Sequence, residues 1–206
     1  MKMSYHFKVR GFFVLTAALG MSLSIVSPAF AFPFASWIGA SDGGGWNKLG
    51  TLGGNDTFAT GINDSGQVVG ESNSKIDSQV FHAFITGPNG VGMTDLGTLD
   101  GGNGYSSATG INDAGQVVGY SSNAGGSSRA FVTGPNGVGM TDLGTLPGGS
   151  YSAATGINAA GQVVGYSVTA GGEFHAFITG PNGGGMTDFG TFGGSDSQAS
   201  WHLGWR

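Results

Sequence analysis

The chain of 206 residues contains no cysteine, only six prolines and few charged side chains. Without cysteine it can form neither a disulfide nor a thiolate metal site nor a cysteine nucleophile. Cations are especially scarce, since Lys and Arg number seven against twelve Asp and Glu. A chain with so few cations lacks the basic surface by which proteins bind nucleic acids or anionic membranes. We therefore expect no nucleic-acid partner, and beyond residue 31 no apolar run is long enough to span a membrane.

The first 31 residues have the organisation of a secretory signal peptide. Three cations precede residue 11, an uncharged apolar run follows over 11–26, and Ala29-Phe30-Ala31 supplies the small residues of a cleavage site. The run is shorter than the ~20 apolar residues of a membrane span. We predict cleavage after Ala31 and export to the periplasm or the cell exterior. The remaining residues, 32–206, carry four cations against twelve acids, a net charge of −8.

Glycine is abundant, and its spacing reveals an internal repeat of 46 to 47 residues. The segment DLGTL at 95–99 returns at 142–146 and, as DFGTF, at 188–192. Two other segments return in fixed order with it: GINDSGQVVG at 61–70 and the His-Ala-Phe triplet at 82–84. We assign 32–46 to a lead-in and 47–200 to about 3.3 repeat units.

Each unit contains four short segments that are rich in β-branched and aromatic residues and bounded by glycine, which predicts four strands. In one unit we place strand a at 93–99, strand b at 107–112, strand c at 116–120 and strand d at 130–133. Asn-Asp-Ala-Gly at 112–115 predicts a tight turn from b to c, and Gly-Pro-Asn-Gly at 134–137 predicts a turn from d to the next a. The adjacent Val117 and Val118 point to opposite faces, so strand c should be covered on both sides.

Four antiparallel strands in a repeat of this size predict an all-β chain built of β-propeller-like blades. About three units are too few to close a ring, so we expect an incomplete propeller. The alternative is an open β-solenoid-like stack, because such a stack also buries strands between repeats.

The three recurring segments together resemble the bacterial extracellular HAF repeat, a family named for its His-Ala-Phe triplet. The resemblance covers roughly 47–200 and implies an exported bacterial protein with no established enzymatic activity. The chain departs from the family at Arg129, where the family has histidine. It departs also after each triplet, where Ile-Thr or Val-Thr stands and the family often has tryptophan.

No recurring set of residues has the pattern of a catalytic or metal site. His82 and His175 occupy equivalent places, but the second unit has Arg129 there, and a cation cannot replace a metal-bound imidazole. The aspartate of the Asn-Asp turns is replaced by Ala159 in the third unit, which argues against calcium. We therefore predict no metal, no cofactor and no enzymatic activity.

The remaining carboxylates fall into two kinds, those that recur in each unit and those that do not. Asp95, Asp142 and Asp188 recur just after a turn, where a carboxylate accepts bonds from free backbone amides, and in a radial repeat they would form a ring. Glu71 and Glu173 are the only glutamates and occupy different places in their units. The sequence therefore predicts no paired-carboxylate glycosidase site.

Connection lengths vary at one end of the strands and not at the other. The b–c and d–a connections have constant spacing, whereas the a–b and c–d connections change length between units. In a meander the two variable connections lie at the same end, the usual place of a binding surface in repeat proteins. The candidate ligand-face residues are Asn55, Asp56, Asp100, Asn103, Tyr105 and Tyr151, with the loops 73–79 and 123–128.

The last six residues do not continue the repeat. A further Gly-Ile-Asn is expected nine to eleven residues after Phe192, but Trp201 and His202 stand there instead. If Leu203 has a CTN codon, reading the TGG-CAY-CTN codons one base later gives Gly followed by Ile or Thr, which fits the missing pair. We interpret 201–206 as an out-of-frame tail of a longer propeller.

These features together favour a secreted repeat protein that acts as an extracellular binding or surface module. Its expected partner is an unidentified extracellular ligand or a second copy of the chain. The alternatives are a non-functional frameshift truncation of a longer exported propeller and a secreted propeller hydrolase.

N-terminal sequencing of the exported chain should start at Phe32, because signal peptidase requires small residues at the positions of Ala29 and Ala31. Ala31→Leu should block cleavage, whereas Phe30→Leu, at the unconstrained position between them, should not. A cytoplasmic chain that retains Met1 would contradict the prediction.

Overall fold

A computed structural model describes residues 4–9, 12–18, 34–40, 46–74 and 80–200. The described residues form four antiparallel four-stranded sheets, with one short 3-10 turn after the third strand of each of the last three sheets. No helix among them is long and apolar enough to cross a membrane. The predicted all-β class with four-stranded units is confirmed.

The strands follow one another in chain order within each sheet. The first sheet contains β1 (Ser4–Val9), β2 (Phe12–Ala18), β3 (Phe34–Ala40) and β4 (Trp46–Lys48). The second contains β5 (Thr57–Ile62), β6 (Val68–Asn73), β7 (Phe81–Ile85) and β8 (Thr94–Asp95). The third contains β9 (Ser106–Ile111), β10 (Val117–Ser122), β11 (Ser128–Thr133) and β12 (Met140–Asp142). The fourth contains β13 (Ser152–Ile157), β14 (Val163–Val168), β15 (Phe174–Thr179) and β16 (Met186–Asp188).

Each repeat sheet has the strand order b-c-d-a, which corrects the a-b-c-d meander inferred from the sequence. Strand a pairs with the strand d that precedes it, as β12 pairs with β11. The a–b connection therefore crosses from one sheet to the next. Strand a is also shorter than predicted and ends at Asp95, because Gly97 has a φ of +72° and its amide donates to Asp95 Oδ1 at 2.7 Å.

Strand c is buried on both faces, as the adjacent valines predict. Val117 and Val118 are both fully buried, and they belong to different cores. Val117 packs with Ala83 and Ile85 of the preceding sheet, whereas Val118 packs with Val163 of the next sheet. Three such cores lie between the four sheets, so each sheet depends on its neighbours for burial.

The connections gather at two opposite edges of the sheets, as their lengths indicated. At what we call the fixed edge, the Gly-Pro-Asn-Gly turn contacts the b–c turn of the same repeat, since Gly137 N donates to Gly115 O at 3.0 Å. At what we call the variable edge, the a–b connection contacts strand c and the c–d turn, since Ser122 N donates to Tyr105 O at 2.8 Å.

The segment before residue 200 makes the contacts with the fourth sheet that the start of a strand b makes with the sheet before it. Ser197 Oγ accepts the Ala176 amide at 2.9 Å and donates to Gly190 O at 2.6 Å. Ser106 and Ser152, the first residues of β9 and β13, make the equivalent bonds. Residues 201–206, the predicted out-of-frame tail, lie outside the described residues.

Three strands of the first sheet come from the predicted signal peptide and the lead-in. Strands β1 and β2 lie within residues 1–31, and β3 lies within the lead-in. Their antiparallel pairing places β3 and β4 in the d and a positions of a repeat sheet. Cleavage after Ala31, which stays a prediction, would remove two of the four strands of this sheet.

Gly119→Ala should destabilise the chain by about 1–3 kcal/mol, the usual cost of overpacking. A Cβ at Gly119 would lie 1.9 Å from the carbonyl oxygen of Ser107, and backbone atoms of a paired strand cannot move aside cheaply. Gly50→Ala is the matched control, because a Cβ there meets no atom within 4 Å. Urea unfolding of both variants measures the difference, and equal stability would contradict the prediction.

Candidate functional site

The predicted ligand-face residues lie at the variable edge, but only some of them are exposed. Asn55 and Asn103 are exposed in their a–b connections. Asp56 is half-buried, and its backbone amide donates to the side-chain oxygen of Asn73 at 2.8 Å. Tyr105 and Tyr151 are half-buried. Of the predicted loop 73–79, residues 75–79 lie outside the described residues.

Asp100 stabilises the conformation of the a–b connection in which it lies. Its Oδ1 accepts bonds from the Thr98 hydroxyl and from the amides of Gly102 and Asn103, the latter two at 3.1 and 3.2 Å. These bonds, the Thr98 bond foremost, hold the pKa of the Asp100 carboxyl below its ordinary value. The Asp100 carboxylate therefore stabilises the loop by accepting its backbone amides, as in an Asx turn.

Two clusters of aromatic side chains lie at the variable edge, one in each of two consecutive repeats. We call Tyr105, Tyr120, Tyr151 and Tyr166 the tyrosine ladder. The ring centroids of Tyr105 and Tyr120 are 5.8 Å apart, and those of Tyr151 and Tyr166 are 6.0 Å apart and stacked. Phe174 contacts both rings of the second pair edge-on. All four tyrosines with described side chains belong to these two pairs.

The register of strands b and c creates each pair of rings. Tyr120 lies opposite Ser107 across β9 and β10, and Tyr105 lies two residues earlier on the same face as Ser107. The two tyrosines are thus diagonal cross-strand neighbours, within reach of aromatic side chains. Tyr166 lies opposite Ala153 in the same way. Because serine and alanine are small, the rings can lean together over them.

Glu71 joins the ladder to the preceding repeat. The Tyr105 hydroxyl donates to Glu71 Oε2 at 2.5 Å and lies 3.3 Å from the Tyr120 hydroxyl. Burial, then the hydrogen bond to this carboxylate, raises the pKa of Tyr105 far above its usual range. The pKa of Tyr151 is raised as well, by burial first and then by the neighbouring Tyr166 hydroxyl. Tyr105 and Tyr151 therefore remain neutral phenols at physiological pH.

The recurring histidines form pairs with the recurring aspartates. Nδ1 of His82 lies 2.9 Å from Asp95 Oδ2, and Nδ1 of His175 lies 2.9 Å from Asp188 Oδ2. The amide of Gly190 also donates to Asp188, and both bonds, the histidine foremost, lower the pKa of this carboxyl. Each pair ties strand d to strand a within one sheet.

The second repeat lacks this pair, as its arginine indicated. Arg129 donates instead to the carbonyl oxygens of Ser128 and Ser150. Of the two contacts that Asp188 makes, with a histidine and with a backbone amide, Asp142 makes the second, because it accepts the Gly144 amide at 2.7 Å. A function that needs the same histidine in each repeat does not fit this substitution, so the pairs are best described as structural.

The described residues bring no metal or acid-base cluster together. Among them, no group of three or more His, Asp or Glu side chains could hold a metal ion. Asp113 of an Asn-Asp turn accepts the Asp64 amide of the preceding repeat at 3.1 Å. Glu173 accepts the Thr169 hydroxyl within its own turn, whereas Glu71 belongs to the ladder.

The sheets and their shared edges define an all-β protein of β-propeller-like units, arranged as an open row in the described part of the chain. No family model and no curated protein matches the chain. Among solved structures it is similar to one from Agrobacterium tumefaciens assigned as TolB, with a TM-score of 0.53 and 14% sequence identity. The match covers 86% of this chain but 60% of that protein. At this identity the likeness shows the fold alone, and it favours the propeller over the solenoid.

Tyrosinate formation at Tyr105 and Tyr151 should be delayed to a pH well above the ordinary tyrosine value of ~10. Tyr105 and Tyr151 have raised pKa values in the folded chain, so the unfolded chain releases these protons first. Their contribution to stability is intact below pH ~10 and is lost as the pH rises above it.

An absorbance titration of the tyrosinate band, followed together with circular dichroism, measures this delay. Tyr105→Phe should remove one delayed proton and leave the one at Tyr151. Titration of every tyrosine near pH ~10 while the chain remains folded would contradict the prediction.

Proposed function

We propose that this chain is an exported binding module that holds a neutral glycan along the tyrosine ladder. The observation that carries the proposal is the clustering itself. The four tyrosines come from two repeats and two different strand positions, yet the fold brings them together as two ring pairs at the variable edge.

The chemistry of the ladder suits a carbohydrate. A tyrosine ring offers an apolar face and a polar hydroxyl, and a sugar ring likewise has apolar C–H faces and hydroxyl edges. Glu71 adds an acceptor beside the ladder, and Asn55 and Asn103 add exposed amides nearby. These groups can accept and donate bonds to sugar hydroxyls without any cation.

The charge of the chain favours a neutral ligand over an anionic one. Residues 32–206 carry a net charge of −8, and Arg129 is the one cation among the described residues of the last two repeats. An acidic surface repels polyanions such as nucleic acids and acidic polysaccharides. Recognition through aromatic rings and uncharged hydrogen bonds avoids this repulsion.

The proposal includes export of the chain and its membership of the HAF repeat family. The signal-peptide pattern of residues 1–31 and the resemblance to the HAF repeat both support an extracellular or periplasmic setting, in which glycans are abundant partners. The propeller-like fold adds a scaffold with a variable edge, on which function can change without loss of the core.

The hydrolase alternative has less support from the geometry. Glu71 is engaged by Tyr105, and Glu173 is fixed within a turn of the last repeat. A glycosidase needs two carboxyl groups that flank the scissile bond, and these two lie on different repeats. The frameshift alternative is decided by the coding DNA beyond the last codon.

Affinity electrophoresis in gels containing dextran, xylan or a soluble β-glucan tests the proposal. The chain should be retarded by at least one of them, and Tyr120→Ala or Tyr166→Ala should weaken binding about tenfold or more, as expected for loss of one buried aromatic contact. Val138→Ala is the control, because Val138 is exposed at the fixed edge.

A second readout keeps the result independent of folding defects. The bound polysaccharide should protect the ladder from nitration by tetranitromethane in the unsubstituted chain. Retention that is equal in all variants, or no retention by any neutral polysaccharide, would contradict the proposal.

A further inference from the structure

Residues 32–206 contain four tyrosines, and the fold arranges all of them as pairs that join the start of strand b to strand c. The chain contains no cysteine, so no disulfide can link these strands. Oxidation can also join two phenol rings that are in contact, through a bond between a carbon of each ring. The two pairs are therefore the places at which oxidation can link strand b to strand c.

The hydroxyl groups within each pair contact each other. The hydroxyl oxygens of Tyr105 and Tyr120 are 3.3 Å apart. A hydrogen bond also joins the hydroxyls of Tyr151 and Tyr166, whose rings are stacked. Each ortho carbon is separated by two bonds from the hydroxyl oxygen of its ring. Contact between the hydroxyls therefore brings together the ortho carbons, at which phenoxyl radicals couple.

A carboxylate distinguishes the first pair from the second. Glu71 Oε2 accepts the Tyr105 hydroxyl at 2.5 Å, a short bond of the charge-assisted kind. Glu71 lies opposite Ala83 in its sheet, and the equivalent residue of the next repeat is Tyr120, opposite Ala130. Tyr151 therefore has a phenol in the preceding repeat where Tyr105 has a carboxylate.

The position of Glu71 matters for the loss of an electron from Tyr105. Burial and the bond to Glu71 raise the pKa of Tyr105, so this phenol is protonated at physiological pH. A phenol that loses an electron becomes a strong acid and must release its proton. A base that is already bonded to this proton can take it up as the electron leaves, which is general base catalysis.

The rings of both pairs are half-buried, and so is Glu71. Partial exposure gives a small oxidant access to the rings, whereas partial burial holds them in place. Two reacting groups that are held in contact react as if each were present at a very high concentration. Coupling within a pair should therefore be faster than coupling between pairs or between chains.

We propose that Tyr105 and Tyr120 form an oxidative cross-link, with Glu71 as the proton acceptor for Tyr105. The oxidant is hydrogen peroxide, which acts through a haem peroxidase. Tyr105 loses one electron to the oxidant and its phenolic proton to Glu71, which passes the proton to water. Tyr120 loses one electron to the oxidant and its proton to water.

The two phenoxyl radicals then form a bond between one ortho carbon of each ring. The hydrogen atoms on these carbons move to the two oxygens and restore both phenols. The two electrons and two protons that leave the pair reduce one hydrogen peroxide to two molecules of water. The linked chain therefore differs from the unlinked chain by two hydrogen atoms.

The cross-link would join a connection between sheets to a strand within a sheet. Tyr105 is the last residue of the a–b connection that leads from the second sheet to the third, and Tyr120 lies within β10. A covalent link at this place restricts the unfolded chain in the way that a disulfide does. The linked chain should therefore unfold at a higher temperature than the unlinked chain.

Peptide mapping after oxidation tests the proposal, because trypsin separates the two pairs. Beyond residue 48 the cations are Lys75, Arg129 and Arg206, so one pair lies in the peptide 76–129 and the other in 130–206. The folded chain is treated with hydrogen peroxide and microperoxidase, a small haem peptide. Peptide 76–129 should become two hydrogen atoms lighter and show dityrosine fluorescence. It should do so about tenfold or more faster than 130–206, because a positioned base accelerates the reaction.

Glu71→Gln tests the part that the carboxylate plays. Glutamine keeps an oxygen that accepts the Tyr105 hydroxyl, but it does not take up the proton. Linkage within 76–129 should slow by about tenfold or more, whereas linkage within 130–206 of the same molecules should not change. Glu173→Gln is the matched control, because Glu173 is exposed and bonds within its own turn. Tyr120→Phe should abolish the link in 76–129, and circular dichroism checks that each variant is folded.

Three outcomes would each overturn the proposal. The first is a peptide 76–129 that does not lose two hydrogen atoms. The second is a cross-link that preferentially joins 76–129 to 130–206 or to another chain. The third is an equal rate of linkage in Glu71→Gln and in the unsubstituted chain. No glycan is present in these measurements, so their outcome is independent of the proposed binding function.

Discussion

The whole structure depends on the burial of strand c from both sides. Neighbouring side chains along a strand point to opposite faces of the sheet. Two adjacent valines therefore cannot both be buried if one face of the sheet is exposed to solvent. Val68 and Val69 of the first repeat are both fully buried, each in a different core. A repeat therefore buries both valines of strand c only when it lies between two others, as in other repeat proteins.

Threonine hydrogen bonds keep successive repeats in a constant register. Thr60 Oγ1 donates to Ala108 O at 2.7 Å, and Thr109 Oγ1 donates to Ala154 O at 2.9 Å. Because every repeat is held in the same register, residues at equivalent positions line up along the edges. The tyrosine ladder follows from this alignment, since two consecutive repeats each carry a tyrosine pair at the same place.

Part of the candidate site could be read from the sequence. Tyr105 and Tyr151 stand just before strand b in connections of variable length, and this placed them at the variable edge. Tyr120 and Tyr166 were missed, because both lie within strand c, which was expected to face only the cores. Their recurrence 46 residues apart, at the same place in two repeats, is the signal that could have found them. Glu71 gave no signal, because its equivalents in the other repeats are tyrosines.

The sequence by itself determined the repeat length, the number of strands and the turns, because these depend on local chemistry. The glycine of each b–c turn, such as Gly115 with its φ of +74°, acts within a few residues. Only the tertiary structure decided that strand a pairs with the preceding strand d and that Tyr105 bonds to Glu71. Each of these depends on which repeat lies beside which. Contacts between residues distant in the chain produce no local pattern in the amino-acid sequence.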